Sequence, residues 1–291
     1  MNKRRRLGLI VVLGVAITAA AFFALRPREP VYQGKPLSEW IDRLNVGSDE
    51  QIQVAEEAVR HLGTNGLPAL IRMIDSEDSW LKTKIMQLAE KQSFLKLPLV
   101  SGRIDQFRAV NAFHVLGAEA KPASSDLLKL VENGPDAVRC FALCALADIG
   151  PDESAVPTLV NCLNDYTRAD YTRFKAAFAL GAMGPRAEIA IPDLLTALRE
   201  TNDYVRSHAA RALGQIKRKP DVVVPALIEL LSDDHWEARQ NAALSLGEFG
   251  TNAKAAVPAL SRLLDDPQVG ISASNSLKQI DPEAAAKAGV K

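Results

Sequence analysis

Seven side chains carry most of the chemistry that this 291-residue sequence offers: Cys140, Cys144 and Cys162, with His61, His114, His208 and His235. Cys140 and Cys144 stand four residues apart. On one helix their Cβ atoms would lie about 5–6 Å apart, beyond disulfide reach. Cys162 falls five residues after a proline, a place held elsewhere by leucine, so it reads as a core residue. All three are expected as buried free thiols. The C-x-x-x-C spacing is not the C-x-x-C-H of haem attachment. No histidine is followed by glutamate, and none has a second His or Cys at ligand spacing, so no metal is expected. His208 and His235 read as solvent-facing or capping residues. Asp233-Asp234 and Asp265-Asp266 sit where carboxylates cap helix N-termini. With no Gly-x-Ser-x-Gly and no nucleophile–base constellation, we expect no catalytic residues, no cofactor and no enzyme.

Two further sets recur at regular spacing. Arg139, Arg173, Arg206 and Arg239 are separated by 34, 33 and 33 residues. Such a ladder could bind an acidic partner; the favoured reading is that each guanidinium bonds a preceding turn or a neighbouring acid such as Glu200 or Asp233. Tyr166, Tyr171, Tyr204 and Trp236 all fall in polar turns between helices. Either they form a partner-binding edge or each ring covers the apolar end of its own helix pair. If the rings are structural, the site moves to the inner face near Arg173, Arg206 and Arg239.

The elements that must position these residues come from an internal repeat. Prolines at 68, 122, 157, 192, 225 and 258 each precede apolar residues at plus 2, plus 5 and plus 6. Leu227, Leu230 and Leu231 are one such set. An Ala/Ser-Leu-x-x-apolar phrase closes a second helix, as in ALADIG from Ala145, ALGAMG from Ala179, ALGQIK from Ala212 and SLGEFG from Ser245. Phrase ends at 117, 150, 184, 217, 250 and 281 give a period of about 33 residues. Proline suits a first helical turn and glycine a helix end. One pair alone leaves apolar faces bare, so the pairs must stack.

These markers, with Val138-Arg139 and Val205-Arg206 opening the second helix, resemble the HEAT-repeat family in its short bacterial, phycobilin-lyase-like form. The resemblance implies an all-α, right-handed α-solenoid of stacked antiparallel helix pairs. The metal-dependent branch of HEAT-like enzymes, with His-Glu pairs, is not matched. The T-P-L-H phrase of ankyrin and the tetratricopeptide pattern are absent. VYQGKPLSEWIDRL is similar to the lead-in before such repeats in some bacterial envelope proteins. The repeats occupy 48–281, with an insertion near 77–103. Residues 27–47 are expected as a linker and a capping helix with Ser38 as its N-cap, and 282–291 as a tail. Ser272, Ser274, Asn275 and Ser276 are expected as the polar outer face of the last repeat.

Residues 1–26 read as a basic tip and membrane anchor. Leu7 to Leu25 are 19 uncharged residues, spanning about 28 Å as a helix. The preceding Lys3, Arg4, Arg5 and Arg6 place the N-terminus in the cytoplasm and the repeats outside. A signal peptide cleaved near Ala19 and Ala21 is the alternative. No cysteine lies near for lipidation. Apart from those four basic residues, 31 basic face 35 acidic, which argues against nucleic acid as a partner. We therefore expect an inner-membrane scaffold with a periplasmic repeat domain that binds a protein or peptide. The alternatives are a non-catalytic or lyase-type subunit, as the resemblance implies, and a structural envelope spacer.

Overall fold

The computed structural model describes residues 29–90 and 100–290. The expected span Leu7–Leu25 lies outside them. Among the described residues no helix is long and apolar enough to cross a membrane. A two-residue hairpin comes first, β1 (Val31–Tyr32) against β2 (Lys35–Pro36). Gln33 and Gly34 at its tip both have positive φ, as a tight hairpin turn requires. Helix α1 (Leu37–Val46) buries Leu37, Trp40 and Ile41, and the Trp40 Nε1–H donates to the Tyr32 carbonyl at 3.1 Å. Its N-cap is Pro36, not Ser38. The helix starts two residues early, which puts Ser38 in the first turn, where its amide donates to the Glu29 carboxylate at 2.9 Å.

Helix α2 (Asp49–Ile74) breaks at Gly63, with φ of 47°. Its first half is the second helix of one pair, and α1 takes the place of that pair's first helix. Its second half opens the next pair. The insertion then supplies α3 (Trp80–Glu90) before α4 (Gly102–Leu116) completes that pair. Gln106 ties across the insertion by donating to the Ile74 and Ser76 carbonyls at 3.2 and 3.1 Å.

Five regular pairs follow: α5 (Ser124–Asn133) with α6 (Asp136–Ile149), α7 (Val156–Asn164) with α8 (Asp170–Ala182), α9 (Ile191–Ala197) with α10 (Asp203–Ile216), α11 (Pro220–Leu230) with α12 (Trp236–Glu248), and α13 (Val257–Arg262) with α14 (Gly270–Ile280). Together they form the right-handed α-solenoid. Pro157, Pro192 and Pro258 sit in first turns. Pro225 does not. Helix α11 begins at Pro220, because Lys217-Arg218-Lys219 replaces the short 3-10 segment, with its buried alanines, found before α5, α9 and α13.

One continuous apolar core runs from Leu37 to Ala285. The second helices of successive pairs pack directly on one another through small residues. The first helices pack less closely and leave clefts. At the C-terminal end Ser272 and Ser276 are buried, contrary to the expectation of a polar outer face. Helical spacing puts them with Ala273, Leu277 and Ile280 on the side facing α12, where small side chains permit close approach. The exposed side carries Asn275, Lys278 and Gln279. Residues 282–291, expected as a tail, include α15 (Pro282–Lys287), which buries Ala285 against the last pair.

Candidate functional site

The arginine ladder is built by the turn before each second helix. Arg206 Nε and Nη2 donate to the two Asp233 carboxylate oxygens at 2.7 and 2.8 Å. Its Nη1 donates to the Glu200 and Thr201 carbonyls at 2.9 and 3.0 Å. Arg239 repeats the arrangement, donating to the Asp233 and Asp234 carbonyls and, at 3.1 Å, to Asp266. Arg173 donates to the Leu163 carbonyl at 2.9 Å and to Glu200 at 2.9 Å. In all three rungs the carboxylate comes 27 residues after its arginine, from the next turn. Arg173, Arg206 and Arg239 thus clamp repeat to repeat, and their occupied guanidinium groups are not an open surface for a partner.

The four turn aromatics do not behave alike. Tyr166 is 65% exposed, yet its hydroxyl donates to Glu200 at 2.5 Å and the Arg173 guanidinium lies 4.2 Å from its ring centre. It belongs to the rung. Tyr171, Tyr204 and Trp236 lie in the first turns of α8, α10 and α12, rather than in the connecting loops. Tyr171 and Tyr204 are exposed and Trp236 is half-buried.

The structure adds rings that the turn-based reading missed. Phe107, Phe141, Phe174 and His208 occupy neighbouring positions on four successive second helices, Phe141 and His208 two residues past the ladder arginine and Phe174 one. Phe107 and Phe141 meet edge to face at 4.9 Å, and Phe174 faces His208 at 4.6 Å. Tyr204 joins them 5.9 Å from Phe174 and 5.9 Å from His235, which leads on to Trp236 at 6.3 Å. Lys175 and Arg211 lie over the Phe178 ring beside this strip. The repeat did not display these rings as a set, because they alternate between two adjacent helix positions and one of them is an imidazole.

His208 is half-buried, not solvent-facing, and burial pushes its pKa down although its Nδ1 meets the Tyr204 carbonyl at 2.9 Å. His235 is the N-cap residue of α12, with Nε2 3.1 Å from Asp203. Cys162 is buried, whereas Cys140 and Cys144 are only half-buried, because they lie at the edge of α6 beside Lys175 rather than on its core face. The Cys140 thiol, with help from Lys175 and against burial, holds the Cys144 pKa below its ordinary value. Burial raises Cys162 to about 11. Among the described residues no group of three or more metal-ligating side chains comes together.

The chain resembles several solved structures. A designed armadillo repeat protein in complex with a (KR)4 peptide is 16% identical, with 85% of this chain and 100% of that chain covered and a TM-score of 0.46. The complex of CpcE and CpcF of phycocyanin lyase from Nostoc sp. is 22% identical, covering 90% and 96%, with a TM-score of 0.47. An engineered protein is 20% identical, covering 87% and 97%, with a TM-score of 0.45. No curated protein sequence matches. The model for HEAT repeats matches residues 124–203 and 191–280, more than half of the chain and the stretch that holds the proline-led helices, the arginine rungs and the closing glycines. This protein belongs to the HEAT-repeat family.

Proposed function

We propose that the protein is a membrane-tethered scaffold, not an enzyme, whose second-helix face docks a protein or peptide on the extracytoplasmic side. The observation that carries this reading is the set of rings on that face, in two contact groups, Phe107 with Phe141 and Phe174 onward to Trp236. Phe107 is 53% and Tyr204 47% exposed, and rings that stay in water on a rigid frame favour association, since they add contact area at low entropic cost. Tethering and location rest on Leu7–Leu25 and the basic residues before it. The test is crosslinking in intact membranes. Wild-type chain should yield a discrete stoichiometric partner, and Phe107→Ala with Tyr204→Ala should abolish its capture with little change in melting temperature. Unaltered capture by that double variant would sink the strip as the docking site. A copurifying chromophore would favour the lyase-type subunit, and the absence of any partner the envelope spacer.

A further inference from the structure

Arg139 is the rung that no carboxylate bonds. It is 3% exposed and donates from Nη2 to the Glu132 and Gly134 carbonyls at 3.3 and 2.8 Å. Its Nε is buried with no partner. In the other three rungs a carboxylate from 27 residues onward fills the equivalent role, but here that position is Tyr166. From first-helix proline to arginine this repeat runs 16 residues against 14 in the next two, and Asp165, eight residues after Pro157 as Glu200 and Asp233 are eight after Pro192 and Pro225, falls one residue short of the 27-residue spacing. Neither candidate partner bonds Arg139. Tyr166 joins the Arg173 rung, and Asp165 is held by Thr167 at 2.5 Å and by Arg168 Nε at 2.8 Å. Asp136, the counterpart of the Asp170 that approaches Arg173 at 3.5 Å, forms no such pair, and its Oδ1 is also buried without a partner. A buried cation with no carboxylate bonded to it is costly.

The guanidinium borders a cavity of about 180 Å³ that Cys162, Thr158, Asn161 and Arg168 also line. At about 30 Å³ per water, this has room for a carboxylate and several waters. Glu132 and Asp165 line it too, but each is already bonded, Glu132 to the Thr158 hydroxyl at 2.9 Å. We propose that this cavity receives a carboxylate side chain of the docked partner, which supplies in trans the acid that Glu200, Asp233 and Asp266 supply in cis. The choice of carboxylate follows from the array itself, whose other three rungs all use one. The inference deepens the scaffold reading and rests on it for the source of the carboxylate.

The test titrates the purified full chain with N-acetyl-glutamate at constant ionic strength, with inorganic phosphate as the comparison, and follows melting temperature and calorimetric binding. Wild-type protein should bind N-acetyl-glutamate saturably and more tightly than phosphate. Arg139→Gln should weaken this roughly tenfold. Tyr166→Glu, which places an acid 27 residues after Arg139 as in the other rungs, should raise the melting temperature and abolish the response. That gain keeps the proposal testable should Arg139→Gln fail to fold. Equal binding by Arg139→Gln, tighter binding of phosphate, or an unchanged response in Tyr166→Glu would overturn it. Partner capture separates this idea from the scaffold reading. Capture lost in Phe107→Ala with Tyr204→Ala but intact in Arg139→Gln leaves the scaffold standing and overturns the carboxylate site. Probe binding that depends on Arg139, without any captured partner, supports the site and removes the scaffold.

Discussion

Arg206 and Asp233 show how unequal the ion pairs of this chain are. Their side chains are 15% and 9% exposed and bond through both carboxylate oxygens, so removing one partner leaves a largely desolvated charge. We expect Asp233→Asn to cost about 3 kcal/mol, read from denaturant unfolding. Glu229→Gln, which removes a pair to Arg199 with both side chains more than 70% exposed, should cost under about 0.5 kcal/mol. Burial alone would raise the Asp233 pKa, but the bonds from Arg206 and the His235 amide outweigh it and hold the carboxyl below its usual 3.8. Its stabilisation is therefore complete above 3.8 and lost as pH falls through the lower folded value. The acid slope of stability should be shallower in Asp233→Asn. The thiols differ as sharply. An alkylating reagent at pH 8 should modify Cys144 first and spare Cys162 in the native state, as peptide mass mapping would show; faster labelling of Cys162 would contradict the assigned environments. The arginine pairing was legible in the sequence, since acids recur in the turn beside each arginine. The half-exposure of Cys140 and Cys144 was not, because a four-residue spacing does not say which edge of the helix a neighbour leaves open.

Between elements, the closest approaches are those of successive second helices, and a glycine decides them. A Cβ built at Gly214 of α10 would stand 2.5 Å from the Ser245 Cβ and 2.7 Å from its Cα on α12. Neither atom can move without shifting a helix. Gly214→Ala should therefore destabilise by about 2 kcal/mol or more, against the small gain in helix propensity that the same change brings in an open helix. A neutral or stabilising effect on the unfolding midpoint would show that these helices are not pressed together there. The sequence displayed this glycine in every A-L-G phrase but not its purpose, since helix spacing is a property of the stack. The terminal glycine of the same phrase was legible. Gly184 and Gly250 have φ of 59° and 54°, the left-handed helix end that glycine reaches at low cost. Where Lys217 replaces it, the chain takes the same conformation with φ of 52°. The early start of α11 at Pro220 was obscured because two prolines compete, and the periodicity favoured the wrong one.

For the whole molecule, stacking explains both the unbroken core and the need for closed ends. The period of about 33 residues revealed the solenoid, because each pair buries its faces only on its neighbours. The ends departed most from expectation, since they have a neighbour on one side alone. Helix α1 completes a first pair and α15 covers the last. What lies beyond the N-terminal pair determines where this surface can meet a partner. Leu7 to Leu25 are long enough to cross a hydrocarbon layer of about 30 Å, and four basic residues precede them while Arg26 and Arg28 follow. The apolar run continues through Phe22, Phe23 and Leu25, past the small residues where a signal peptidase would cut, so the segment should stay attached. A reporter that is active only in the periplasm, fused after Lys291, should be active. The mature chain should begin at Met1 or Asn2 and sediment with membranes. A chain beginning at Phe22 would mean cleavage and a freely diffusing scaffold, and an inactive reporter would place the aromatic strip and the Arg139 cavity on the cytoplasmic side, before a different set of partners.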